Sequence, residues 1–121
     1  MARIVSYAEA GRKPIYFPFA PIDAMKKALE MADLTKDQID LWEINEAFSV
    51  VTMAGMDQLG IDKSKVNIKG GAVALGHPIG ASGARILTTL LYAMKDKNAR
   101  YGLATLCIGG GEAVAMVVER Q

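Results

Sequence analysis

Three short segments of this chain carry the residue types of carbonyl chemistry: Asn45-Glu46-Ala47-Phe48, Gly76-His77-Pro78-Ile79-Gly80-Ala81-Ser82-Gly83 and Cys107-Ile108-Gly109-Gly110-Gly111. Each follows a short apolar run that reads as a strand. If those runs are parallel strands of one sheet, Asn45, His77 and Cys107 gather at carboxyl ends, where open α/β sheets bind their ligands. An amide, an imidazole and a thiol on one rim could polarise a carbonyl oxygen, activate a nucleophile and move a proton.

Each residue also has a plainer explanation. Asn45 suffices as a helix N-cap. A lone cysteine is most often an inert buried side chain, but the glycines after Cys107 allow the Gly109 N–H to point at a developing oxyanion. A free thiol has a pKa of ~8.5, so work as a thiolate requires the site to lower it. His77, held between Gly76 and Pro78, is placed for function rather than for filling a core. The glycine stretch fails as a phosphate loop, since neither the Gly-x-x-x-x-Gly-Lys spacing nor the dinucleotide fingerprint is present.

The elements that must position these residues follow from periodicity. Residues 2–9 alternate and read as a first strand. Residues 11–21, with Pro14, Pro18 and Pro21, read as a loop that excludes helix. A helix is predicted over 22–32, a strand over 39–44, and a second helix from Glu46 to Leu59 closed by Gly60. Val66–Ile68 starts a third strand. A third helix runs over 84–94, with Ser82 and Gly83 as caps, and strands over 103–108 and 113–118 form an antiparallel hairpin across the glycines. The order is βαβαβαββ, an α/β domain with a mixed five-stranded sheet and helices on both faces. Helices one and two share a side, and helix three covers the other, with the fourth strand returning past the first. From Ala84 to Met94 the third helix has a single charge, Arg85, and the second is equally short of charge from Ala47 to Met56. Two such helices imply burial against a second structure.

The 121 residues make one domain. With 14 basic and 13 acidic residues interspersed for a net charge of +1, nothing marks a nucleic-acid or membrane partner. One cysteine excludes an internal disulfide, and one cysteine with one histidine makes no metal cage. The first residues lack the order of a secretory signal and no apolar run reaches the ~20 residues of a membrane span, so the expected location is cytoplasmic.

In this order and covering Ala2 to Arg120, the three segments resemble the C-terminal motifs of the thiolases, the acetyl-CoA C-acetyltransferases. Ketoacyl synthases share the fold but carry different His and Asn motifs. The resemblance implies that His77 activates a nucleophilic cysteine and helps bind the thioester oxygen, while Asn45 holds a water completing that oxyanion hole. Cys107 would be the acid/base at the acetyl methyl, Gly109 a donor to a second oxyanion hole, and Phe48 a wall of the acyl pocket. Phe17-Pro18, where many members carry Met-Gly, resembles the variant in mitochondrial-type acetoacetyl-CoA thiolases, reshaping the pocket and raising the expectation of a potassium ion nearby.

Thiolases consist of two similar halves plus a loop region, and the nucleophilic cysteine belongs to the N-terminal half. Residues 1–121 correspond to the C-terminal domain alone, without the residues that grip most of coenzyme A. The implied partners are an N-terminal half, acetyl-CoA and acetoacetyl-CoA, with a homo-oligomer of the full assembly and no tightly bound cofactor. By itself the chain is expected to be inactive. The rival reading is a non-catalytic module derived from a thiolase, binding acyl-CoA or serving assembly.

Overall fold

The computed structural model describes all residues, 1–121. The elements are β1 (Ala2–Gly11), α1 (Ala20–Ala32), β2 (Leu41–Ile44), α2 (Ser49–Leu59), a single turn α3 (Ala72–Leu75), α4 (Ser82–Lys97), β3 (Tyr101–Gly109) and β4 (Glu112–Arg120). The sheet has four strands in the order β1-β4-β3-β2, with β2 and β3 parallel and the other two pairs antiparallel. The β3–β4 hairpin and the mixed sheet are as expected. The position of β4 is not: it separates β1 from β3, so the strand after α4 does not return past β1.

The expected fifth strand is missing for a local reason. Val66 makes one parallel bridge to Trp42 and stops. Asn67 then turns left-handed, at φ 48°. Its carboxamide accepts from the Ile44 N–H at 2.9 Å and donates to the Ile44 carbonyl at 2.8 Å, so a side chain takes the two bonds a neighbouring strand would have made. The proline-rich segment is not all loop either. Residues 14–19 form 3-10 turns, and Pro21 sits in the first turn of α1, where a missing N–H costs nothing.

Two apolar layers flank the sheet. On one side, Met25, Ala28 and Leu29 of α1 and Val51 of α2 pack on Trp42, Ile44, Leu103 and Val117. Ala20, Ala24 and Ala28, each wholly buried, give α1 a flat face at four-residue spacing. The Ser6 hydroxyl, buried in that contact, donates to the Ala28 carbonyl at 2.6 Å and so satisfies itself. On the other side, Ile86, Leu90 and Met94 of α4 cover Leu41, Ala104 and Val118. Glycine at position 102 makes this approach possible, since a Cβ there would lie 2.5 Å from the Met94 sulfur. Helices one and two thus share a face and α4 has the other, as the crossover handedness implied.

Covering is incomplete. α4 sits over β2 and β3 and leaves an apolar groove of about 360 Å³ above the β1–β4 half, walled by Tyr7, Leu87, Leu106, Val114 and Met116. Val50 and Met53 of α2 and Tyr92 of α4 also face outward. No helix is long and apolar enough to cross a membrane.

Candidate functional site

β2 and β3 run side by side and bring two of the motifs to one rim. The register pairs Ile44 with Thr105, and the Asn45 N–H continues the ladder by donating to the Thr105 carbonyl at 3.0 Å. Asn45 is wholly buried and is not a helix cap: Phe48, extended at φ −142°, precedes the first turn of α2. The three intervening residues leave the helix because Glu46 has other partners. Its carboxylate accepts from the Val73 N–H at 3.0 Å and from Asn67 at 3.2 Å, and it lies where a Cβ on Gly71 would be.

That carboxylate helps start α3, although from sequence the apolar run before Gly76 reads as a strand. Four apolar residues fit either period. His77 therefore follows a helical turn, with Gly76 at φ 96° redirecting the chain toward β2. The imidazole reaches Asn45 all the same: its Nε2 is 3.5 Å from Asn45 Nδ2, and its Nδ1 is 2.6 Å from Ser82 Oγ. Ser82 is the first residue inside α4 rather than its cap, and its hydroxyl donates to the Pro78 carbonyl at 3.0 Å.

Beneath the amide lies an ion pair that sequence reasoning missed. Arg85 donates to Glu43 at 3.2 Å and to Asn45 Oδ1 at 3.4 Å, while its Nε is buried without a partner. A signal for it existed. Glu43 is the one charge between Leu41 and Ile44, and Arg85 the one charge inside an apolar stretch of helix. Opposite charges so placed must meet, or each would be buried alone.

Glu43 is 2 % exposed, and loss of hydration outweighs Arg85, pushing its carboxyl up to about 7 from the ordinary 4.5; Glu46 adds to the rise. The folded chain then holds more protons than the unfolded one between those two values, so Glu43's contribution to stability is full below about 4.5 and is lost as pH rises to about 7. Urea midpoints measured across that window should fall more steeply for the wild type than for Glu43→Gln. Parallel slopes would show that Glu43 ionises normally.

Cys107 is on the same rim but is not in this hydrogen-bonded group. It pairs with Ala113 in the row of Thr105–Ala115 and Leu103–Val117, the face toward α1, whereas Glu43 turns to α4. Its sulfur bonds neither Asn45 nor His77. The thiol is buried and desolvation raises its pKa, the reverse of the lowering that thiolate work requires. Gly109 lies at the register shift after Cys107, with φ 114°, a conformation suited to glycine. Phe17 and Phe48 meet edge to face, their centroids 5.9 Å apart, with Phe48 63 % exposed.

No three Asp, Glu, Cys or His side chains converge, and the Lys13 and Phe17 carbonyls accept the N–H groups of Tyr16 and Ala20 within the 3-10 turns.

Residues 1–120 match the family described as "Thiolase, C-terminal domain". The acetyl-CoA acetyltransferase of Yarrowia lipolytica is 59% identical over 120 residues, which is 99% of this chain and 30% of that protein. The acetyl-CoA acetyltransferase of Escherichia coli is 56% identical over the same share of each. In the crystal structure of Acat5 thiolase from Ascaris suum in complex with coenzyme A, the matching region has a TM-score of 0.95 at 50% identity, covering 100% of this chain and 31% of that one. The chain spans about 30% of the length of these curated relatives.

Proposed function

The chain belongs to the thiolase family, as a thiolase C-terminal domain, and from that premise we propose that it provides one side of an active site interconverting two acetyl-CoA with acetoacetyl-CoA and coenzyme A. The observation that carries the reading is the approach of the His77 imidazole to the buried Asn45 amide at the end of β2. A nucleophilic cysteine comes from an N-terminal half, which also closes the apolar groove over β1 and β4. Covering that face removes apolar surface from water, at roughly 25 cal/mol per Å².

The chemistry proceeds by a cysteine-bound acyl group. His77 takes the proton of the partner's cysteine, whose sulfur attacks the acetyl thioester. The thioester oxygen becomes an oxyanion, met by the imidazole and by a water that Asn45 holds. Collapse breaks the bond to coenzyme A, whose thiolate leaves and takes a proton from Cys107. Burial favours this order of events, since a thiol kept neutral at rest is ready to act as an acid.

Cys107, now a thiolate, removes a proton from the methyl of a second acetyl-CoA. Its enolate oxygen is met by the Gly109 N–H, and the carbanion attacks the bound acetyl group. The new carbon–carbon bond forms as the cysteine sulfur departs, and His77 returns its proton. Phe48 and Phe17 wall the acyl end.

The test compares the chain alone with the chain joined to the N-terminal portion of the Escherichia coli relative. Alone it should not cleave acetoacetyl-CoA; joined, it should. Cleavage by the unaided chain at enzyme-like rates would overturn the assignment of roles. A joined protein that folds and binds acyl-CoA without cleaving it would make the chain a binding or assembly module.

A further inference from the structure

Asn45 lies between a group that can only donate and a ring that can do either. A guanidinium carries no acceptor, so Arg85, 3.4 Å from Asn45 Oδ1, requires the oxygen on its side and turns the Nδ2 hydrogens to His77 Nε2. The Ser82 hydroxyl at the other side of the ring follows rather than decides: donating to the Pro78 carbonyl at 3.0 Å, which also accepts from the Ala81 N–H, it takes the 2.6 Å contact with Nδ1 as an acceptor.

We propose that Arg85, anchored by Glu43, is a positioning residue that fixes the Asn45 amide and thereby keeps His77 protonated on Nδ1, with Nε2 bare. Without the guanidinium a reversed arrangement is equally coherent. The amide turns over, Nε2–H donates to Oδ1, and the Ser82 hydroxyl rotates to donate to Nδ1. Arg85 excludes it by setting donor against donor. A bare Nε2 is what a base at that position needs before a thiol arrives. The catalytic consequence rests on the function proposed above; the measurement below does not use activity.

His77 is the only histidine in the chain, so nitrogen-15 NMR of the labelled protein reads one imidazole. At a pH where the ring is neutral, the wild type should show a single tautomer protonated on Nδ1. Arg85→Lys, also a pure donor, should keep it. Glu43→Gln combined with Arg85→Gln removes both buried charges together, leaves neither unpaired, and should give a mixture with a substantial Nε2–H population.

An Nε2–H imidazole in the wild type would overturn the proposal, as would an unchanged Nδ1–H tautomer in the folded double variant. If the double variant does not fold, Arg85→Lys decides: retention of Nδ1–H supports the assignment and its loss overturns it. A joined enzyme that is inactive while the tautomer behaves as expected would defeat the proposed function and leave this inference standing.

Discussion

His77→Ala in the joined enzyme should slow acylation and condensation together, each by about 10²–10⁴-fold, the range for loss of a positioned acid/base. Both steps suffer because one ring serves both. In the mechanism proposed above it takes the nucleophile's proton and, 3.5 Å from the Asn45 amide, faces the thioester oxygen in each tetrahedral intermediate. Rapid-quench measurement of acyl-enzyme formation against steady-state condensation separates the steps. An acylation rate equal to that of the wild type would remove His77 from nucleophile activation. The substitution should leave the fold intact, since the ring is half-buried in a loop and its partners, Ser82 and Asn45, keep bonds to Pro78 and Arg85.

Cys107→Ser should divide the two steps instead. Pulling a proton from a methyl group needs a thiolate, and a serine hydroxyl does not ionise near neutral pH, so condensation should fall by about 10³-fold or more, toward the upper part of the acid/base range. Acyl transfer to the partner's cysteine should largely persist. A departing coenzyme A thiolate, with a thiol pKa of ~8.5, leaves without much help from an acid. The structural cost is small because the thiol makes no side-chain hydrogen bond, although a buried hydroxyl will seek one. Acylation measured with labelled acetyl-CoA, alongside condensation, provides the comparison. Equal loss in both would end the separate role assigned to Cys107.

The raised carboxyl of Glu43 and the raised thiol of Cys107 share one cause, withdrawal from water, but differ in consequence. Glu43 has a permanent cation beside it and remains coupled to Arg85 and Asn45. Cys107 has no charged partner, and burial alone raises its thiol. Both side chains lie on adjacent parallel strands, facing opposite layers.

Local chemistry alone settled a good deal. The β3–β4 hairpin was readable because three glycines, all of which take positive φ, join two apolar runs at 109–111. The end of α2 was readable from Gly60, and the two helix-bearing faces of the sheet from the handedness of the crossovers. The three motifs, through residue type and order, marked the family. None of these depends on which distant residues meet.

Whatever depended on such meetings was invisible in one dimension. Val66–Ile68 had the pattern of a strand, yet the Asn67 carboxamide took the hydrogen bonds on Ile44. Val73–Leu75 had the same kind of pattern and coiled, because Glu46, 27 residues earlier, accepts from the Val73 N–H. Arg85 meets Glu43 across 42 residues and Asn45 across 40. Short apolar runs satisfy either period, and only the polar groups that the fold brings alongside decide between them.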